Sequence, residues 1–170
     1  MSAPLPEVWL RGPLPQVPPL LQPVAHALLQ AREELAEYLA AFPAAKLAER
    51  PLGLASVGFH LRHLADVLDR TFTYARGEAL TPAQLAYLAA EGQPPTHPEA
   101  VQELLHAFNQ QVDQALEQLT NTPASTLPEW RGVGRAQLPS TVLGLLTHAA
   151  EHTMRHVGQL LVTSKLVAQA

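Results

Sequence analysis

The chain has 170 residues, 47% of them apolar and only 15% charged, a composition that supports one sizeable core and shows no sign of extended disorder. Its net charge is −4 and its Lys and Arg residues are scattered, which argues against nucleic acid or an anionic membrane surface as a partner. The absence of Cys excludes disulfides, thiolate metal sites and a cysteine nucleophile, and leaves His, Asp and Glu as the available ligands.

Residues 1–22 carry Pro4, Pro6, Pro13, Pro15, Pro18 and Pro19. Each proline lacks an N–H and restricts its predecessor, so an extended arm is expected in place of a helix or central strand. Trp9, Leu10, Leu14 and Leu20 are the residues expected to lay it against the rest of the chain, residues 23–170, read as one domain. No basic region followed by an apolar core and a cleavage site is visible, and no apolar run reaches bilayer length. The expected compartment is the cytoplasm, with no membrane partner.

From Pro23, a favoured helix-start residue, Val24, Leu28, Ala31, Leu35 and Leu39 recur at spacings of three and four, predicting a helix over 23–42. A second helix is expected over 56–76, with Ser56 as N-cap and Gly77 as the stop. Phe59, Leu61, Leu64, Val67, Leu68, Phe72 and Ala75 supply its core face. His60 and His63 share one side of it, and Asp66 is placed to orient an imidazole as a hydrogen-bond acceptor.

Thr81-Pro82 opens a short helix through Ala90. A third long helix is predicted over 97–120, with Thr96 capping and Glu99 completing a capping box; its His97 and His106 have no partner at ligand spacing. Residues 121–138 form a long connection in which Trp130, Arg131 and Arg135 are candidates to border a pocket. A fourth long helix is expected over 140–167, and no strand is predicted. Four long amphipathic helices pack most simply as an all-α four-helix bundle with long crossover connections.

The fourth helix carries His148, His152 and His156. A four-residue step advances only ~40° around an α-helix, so the three imidazoles form a stripe, and a stripe of imidazoles on an apolar helix is costly unless a ligand uses the nitrogens. Helices pack ~8–10 Å apart. Imidazoles at similar height on the second and fourth helices can therefore converge on one divalent ion.

His152-Thr153-Met154-Arg155-His156-Val157-Gly158-Gln159 and the Ser56 to His63-Leu64 spacing resemble the motifs of the DinB/YfiT-like family of bacterial four-helix-bundle metalloproteins. The family usually has Arg where this chain has Val157; Arg155 or Arg62 would have to substitute for it. The resemblance implies a three-His site of His63, His152 and His156. His60 and His148, each near a ligand, are assigned to the pocket wall or a second layer, and Gln159 to hydrogen bonding near the metal.

Three neutral imidazoles leave an open position on a divalent transition ion. Zn or Ni is expected first, and Fe or Mn also accepts imidazole. A bound water or thiol would be activated there. The resemblance implies a thiol-dependent S-transferase using a low-molecular-weight thiol cosubstrate, with a metal-dependent hydrolase or isomerase of a small molecule as one alternative and a non-catalytic metal-binding or structural protein as another. Glu151 immediately precedes His152 and so points ~100° away, which argues against a protease-type base. The expected partners are a small-molecule substrate and a second copy of the chain in a homodimer.

Overall fold

Apolar spacing becomes helix where a cap or stop residue punctuates it. In the computed structural model, which describes residues 5–169, α1 spans Gln22–Tyr38, α2 Val57–Ala75, α3 Pro82–Ala89, α4 Ala100–Asn121 and α5 Val142–Gln169. The Ser56 side chain accepts from the Phe59 N–H and opens α2, and Gly77, at φ +81°, closes it by the left-handed geometry that glycine takes without strain. The helix α1 and the helix α2 each pack against both α4 and α5. Consecutive pairs therefore face each other across the bundle, which is why residues 39–56 and 122–141 must run as long crossovers.

The core is one cluster running through all four long helices, with Leu28, Leu35, Leu61, Leu64, Leu68, Phe108, Leu119, Leu146 and Leu160 essentially solvent-free. Each such side chain contributes about 1.5–3 kcal/mol relative to exposure. Among the described residues no helix is long and apolar enough to cross a membrane.

Several expectations need correction. Residues 130–141 hold a hairpin, β1 (Trp130–Val133) antiparallel to β2 (Leu138–Thr141), with Trp130 opposite Thr141 and Val133 opposite Leu138. Its strands of four residues are too short to display an alternation in sequence, and Gly134 at φ +66° and Gln137 at φ +49° make the turn. The first helix stops at Tyr38, short of 42, because the chain folds into a tight turn before Pro43. The third long helix begins at Ala100 and Glu99 makes no side-chain cap. The reason is His97, whose ring engages both Glu99 and Glu103. The capping box lies instead at Thr81 and Gln84, ahead of α3.

The arm does lie on the bundle, with Leu14 packed against the core as expected and the other expected residues facing out. Val8, Val17 and Leu21 are buried, Leu14 is partly so, and Trp9, Leu10 and Leu20 are exposed. Short 3-10 turns at Val8–Arg11 and Pro19–Leu21 set which side chains face inward. Polar ties hold the path: Gln30 Oε1 accepts from the Val8 N–H, and Arg11 forms a two-pronged pair with Glu33. Residues 1–4 of the expected arm lie outside the described residues.

Candidate metal centre

The histidine stripe does not run parallel to the bundle axis. Each four-residue step turns it by ~40°, and along α5 that rotation carries it from solvent towards the core. His148 is exposed, whereas His152 and His156 are half-buried. His148 Nδ1 pairs with Glu151 Oε1 at 2.8 Å on the outer face; its ring adjoins that of His152 at 5.1 Å, and His148, Glu151 and His152 form a second, more exposed group whose ligand atoms lie within 4.8 Å of one another.

On α2 the three-residue step from His60 to His63 turns the other way, by about 60°. His60 is buried at 4% exposure, and His63 lies at the helix margin. Across the α2–α5 contact, His63 Nε2 stands 2.8 Å from His152 Nε2, and His60 Nδ1 stands 3.0 Å from His156 Nδ1. One ligand nitrogen from each of His63, His152 and His156 can be chosen so that all lie within 4.8 Å of one another. Phe59 stacks on the His63 ring, 10° from parallel with centroids 5.5 Å apart, and restricts its tilt.

The acceptor behind His63 is not Asp66. His63 Nδ1 bonds Glu91 Oε1 at 2.7 Å, which is a residue beyond α3 that no spacing argument singled out. Because an ionised carboxylate only accepts, this bond places the proton on Nδ1 and leaves the Nε2 lone pair facing His152. Burial opposes ionisation of Glu91, but the hydrogen bond and charge interaction with His63, aided by Asp66 and Arg70, outweigh it and hold the carboxyl below its ordinary range. Asp66 is buried behind it and paired with Arg70; burial is the main cause that pushes its carboxyl up to about 6, with Glu91 adding to the rise and Arg70 opposing it.

Glycine makes this arrangement reachable. A Cβ at Gly58 would lie 2.5 Å from Pro94 Cβ and 2.9 Å from the Leu47 carbonyl oxygen. The first turn of α2 is therefore clamped against the segment that follows Glu91, and only a bare backbone fits. Leu47 also accepts the Gly58 N–H at 2.9 Å.

Burial, followed by the neighbouring charge of His63, lowers His60 to about 4, and burial followed by the charges of His63 and His152 lowers His156 to about 4. His152 is lowered by burial and then His63. These three imidazoles are neutral at neutral pH, the form in which a nitrogen ligates. His152 Nδ1 is buried without a hydrogen-bond partner, and its Nε2 is the nitrogen that faces His63. Two nitrogens on a tetrahedral ion with bonds of ~2.0–2.1 Å stand ~3.3 Å apart, so a shift of ~0.5 Å would open the 2.8 Å pair to that spacing. The donor set fits a divalent transition ion.

A cavity of about 480 Å³ shares His60 with the cluster and is bordered by Leu54, Arg155, Gly158, Gln159 and Val162. Gln159 is exposed at its rim, while Val157 is fully buried in the core. Arg155 is tied to Glu151, and Arg62 lies over the Tyr87 ring at 4.6 Å. A separate cavity of about 520 Å³ is lined by Trp130, Arg131 and Arg135 of the hairpin with Tyr74 and Leu85; it shares no residue with the histidines. His97 and His106 are exposed, and neither belongs to the groups of clustered ligand atoms.

Among functionally curated proteins none matches the chain. A solved structure of a conserved protein from Enterococcus faecalis matches with a TM-score of 0.68 and 22% identity, covering 88% of this chain and 98% of that one, a likeness of fold. Residues 27–160 match the model of the DinB superfamily, a stretch that runs from the first turns of α1 to Leu160 of α5 and holds all of the clustered histidines, and the chain belongs to that superfamily.

Proposed function

We propose that the protein holds one divalent transition metal on His63, His152 and His156 and uses it to activate a small molecule, most economically a low-molecular-weight thiol for S-transfer. The observation that carries this reading is the facing Nε2 pair of His63 and His152 at 2.8 Å, with Glu91 fixing the tautomer of His63 from behind. A bound ion would supply Lewis acidity, lowering the pKa of a coordinated thiol or water towards neutrality.

The chain's own residues do the rest. Glu91 and Phe59 hold the His63 ring in one orientation. The low proton affinity of His156, caused first by burial, keeps it available as a ligand at neutral pH. Leu64, Ala149 and Leu160 are buried in the core that both helices share, which limits water on that side. The absence of a His-Glu-x-x-His arrangement still weighs against peptide hydrolysis, since Glu151 is spent on His148 and Arg155 at the surface.

A second reading follows from His60, whose Nδ1 lies 3.0 Å from His156 Nδ1. Were His60 to join the donor set, the site would close and the ion would tie α2 to α5 without catalysis. The test is an assay of metal-loaded protein with bacillithiol, mycothiol and glutathione against a model electrophile. Thiol-dependent turnover supports S-transfer. Turnover of a small ester or amide without thiol supports a hydrolase, and no turnover in either assay overturns the catalytic reading in favour of the closed site.

A further inference from the structure

Two groups of ligand atoms stand side by side on α5, and they are joined. His63, His152 and His156 form the half-buried group, while His148, Glu151 and His152 form the exposed one. Among the described residues His152 is the member that both contain. A His and a Glu three residues apart on a helix surface usually make no more than a solvated pair. What distinguishes this pair is where it leads.

The imidazoles form an unbroken row from solvent to the centre. Between centroids, His148 stands 5.1 Å from His152 and His152 stands 4.5 Å from His156, while His63 lies 5.1 Å from His152 and 4.3 Å from His156. Exposure falls along the row: the side chains of His148 and Glu151 are 48% and 43% exposed, and that of His63 is 13% exposed. Glu151 Oε1 accepts from His148 Nδ1 at 2.8 Å, which leaves the Nε2 lone pair open to an ion, as Glu91 does for His63. Arg155 binds the other oxygen, Oε2, and so fixes the carboxylate. Its charge opposes an approaching cation, but the guanidinium is exposed and screened by solvent.

The shared residue is also the one without an anchor. His63 is held by Glu91 and by the Phe59 ring. His152 has its Nε2 against His63 and an Nδ1 that bonds nothing, so no hydrogen bond holds its ring from behind. We infer that His148, Glu151 and His152 form an entry site that takes a divalent ion from water and hands it, through His152, to His63 and His156. The inference rests on the metal reading above and adds a route to it. The inner group offers three imidazoles away from competing water and is where the ion rests, so the protein holds one ion and not two. A residue on the route but not at its end governs the speed of loading and of release equally and leaves the affinity alone.

The experiment follows cobalt(II) uptake by stopped-flow through the absorption of the bound ion, release on adding excess chelator, and Kd by competition with a chelating dye. His148→Ala should slow uptake and release alike by about tenfold, the lower end of the ~10–10³ by which a concentrating site raises an on-rate, with Kd and the circular dichroism spectrum unchanged. His106→Ala, which alters an exposed histidine outside both groups, should change neither rate. Unchanged rates in His148→Ala, or equal slowing in His106→Ala, overturn the inference, because ions then enter elsewhere or by surface histidines in general. So does a weakened Kd in His148→Ala, which would make His148 a resident ligand, or a wild type that holds two equivalents at once. Each of these results leaves the three-histidine centre standing. A wild type that takes up no cobalt removes the centre and the entry site together.

Discussion

The two sides of the bundle, the adjacent pair α1 and α4 and the adjacent pair α2 and α5, differ in their buried polar residues. The buried residues of α1 and α4 are all apolar: Val24, Ala25, Leu28, Ala31 and Leu35 on one, Ala100, Val101, Leu104, Phe108, Val112, Ala115 and Leu119 on the other. On α2, its cap and α5, the buried set also contains Ser56, His60, Asp66, Thr71, Thr73, Thr153, Thr163 and Ser164, and among the described residues the buried polar side chains are confined to that side. Burying polar groups is unfavourable unless they are bonded. The hydroxyls of Thr71, Thr73 and Ser164 bond back to their own helix, but His152 Nδ1 has no partner. Both pairs share the apolar core, and the α2–α5 pair carries in addition the facing histidines.

This contrast can be broken from either side. The largest effect on stability is expected in the α1–α4 pair. Phe108 is fully buried, and Phe108→Ala should cost about 3–5 kcal/mol, read as a lower urea midpoint in metal-free protein. A comparable loss from removing a histidine of the cluster would contradict the contrast. Next comes Glu91→Leu, which keeps much of the bulk behind His63 while removing the oxygen that accepts from Nδ1. Loss of such a partner weakens metal binding by about 10–100-fold. Competition with a chelating dye measures it, and unchanged affinity would show that Glu91 does not orient the ligand. A smaller effect is expected from Gly58→Ala, whose Cβ would press on Pro94 and the Leu47 carbonyl. Overpacking of this kind costs about 1–3 kcal/mol, visible as a shift in the urea midpoint, and an unshifted midpoint would mean that the segment after Glu91 moves freely.

Much of the fold was legible because each long helix repeats its apolar residues at three and four, and because Ser56 and Gly77 punctuate α2 as their chemistry predicts. The hairpin was not, since a pairing of four residues with four gives no period to read. The arm misled for a related reason: Val8, Val17 and Leu21 face inward because of two short turns, which proline-rich sequence does not announce. Within the centre, helical spacing brought His60, His63, His152 and His156 to one interface. The drift of ~40° per step is what separates exposed His148 from the other two. Glu91 was beyond reach of any spacing argument, because it meets His63 from another segment, 28 residues along the chain. The only local sign was the Gly92-Gln93-Pro94-Pro95 turn that follows it, which marks a fixed bend but names no acceptor.

The most direct measurement is the metal content of purified single variants, with folding checked by circular dichroism. The wild type is expected to hold one equivalent of divalent metal. His63→Ala, His152→Ala and His156→Ala should each lose it while remaining helical, and His148→Ala, altered on the exposed face beside Glu151, should retain it. Full occupancy in the His63 variant, or loss of metal in the His148 variant alone, would contradict a centre built across α2 and α5.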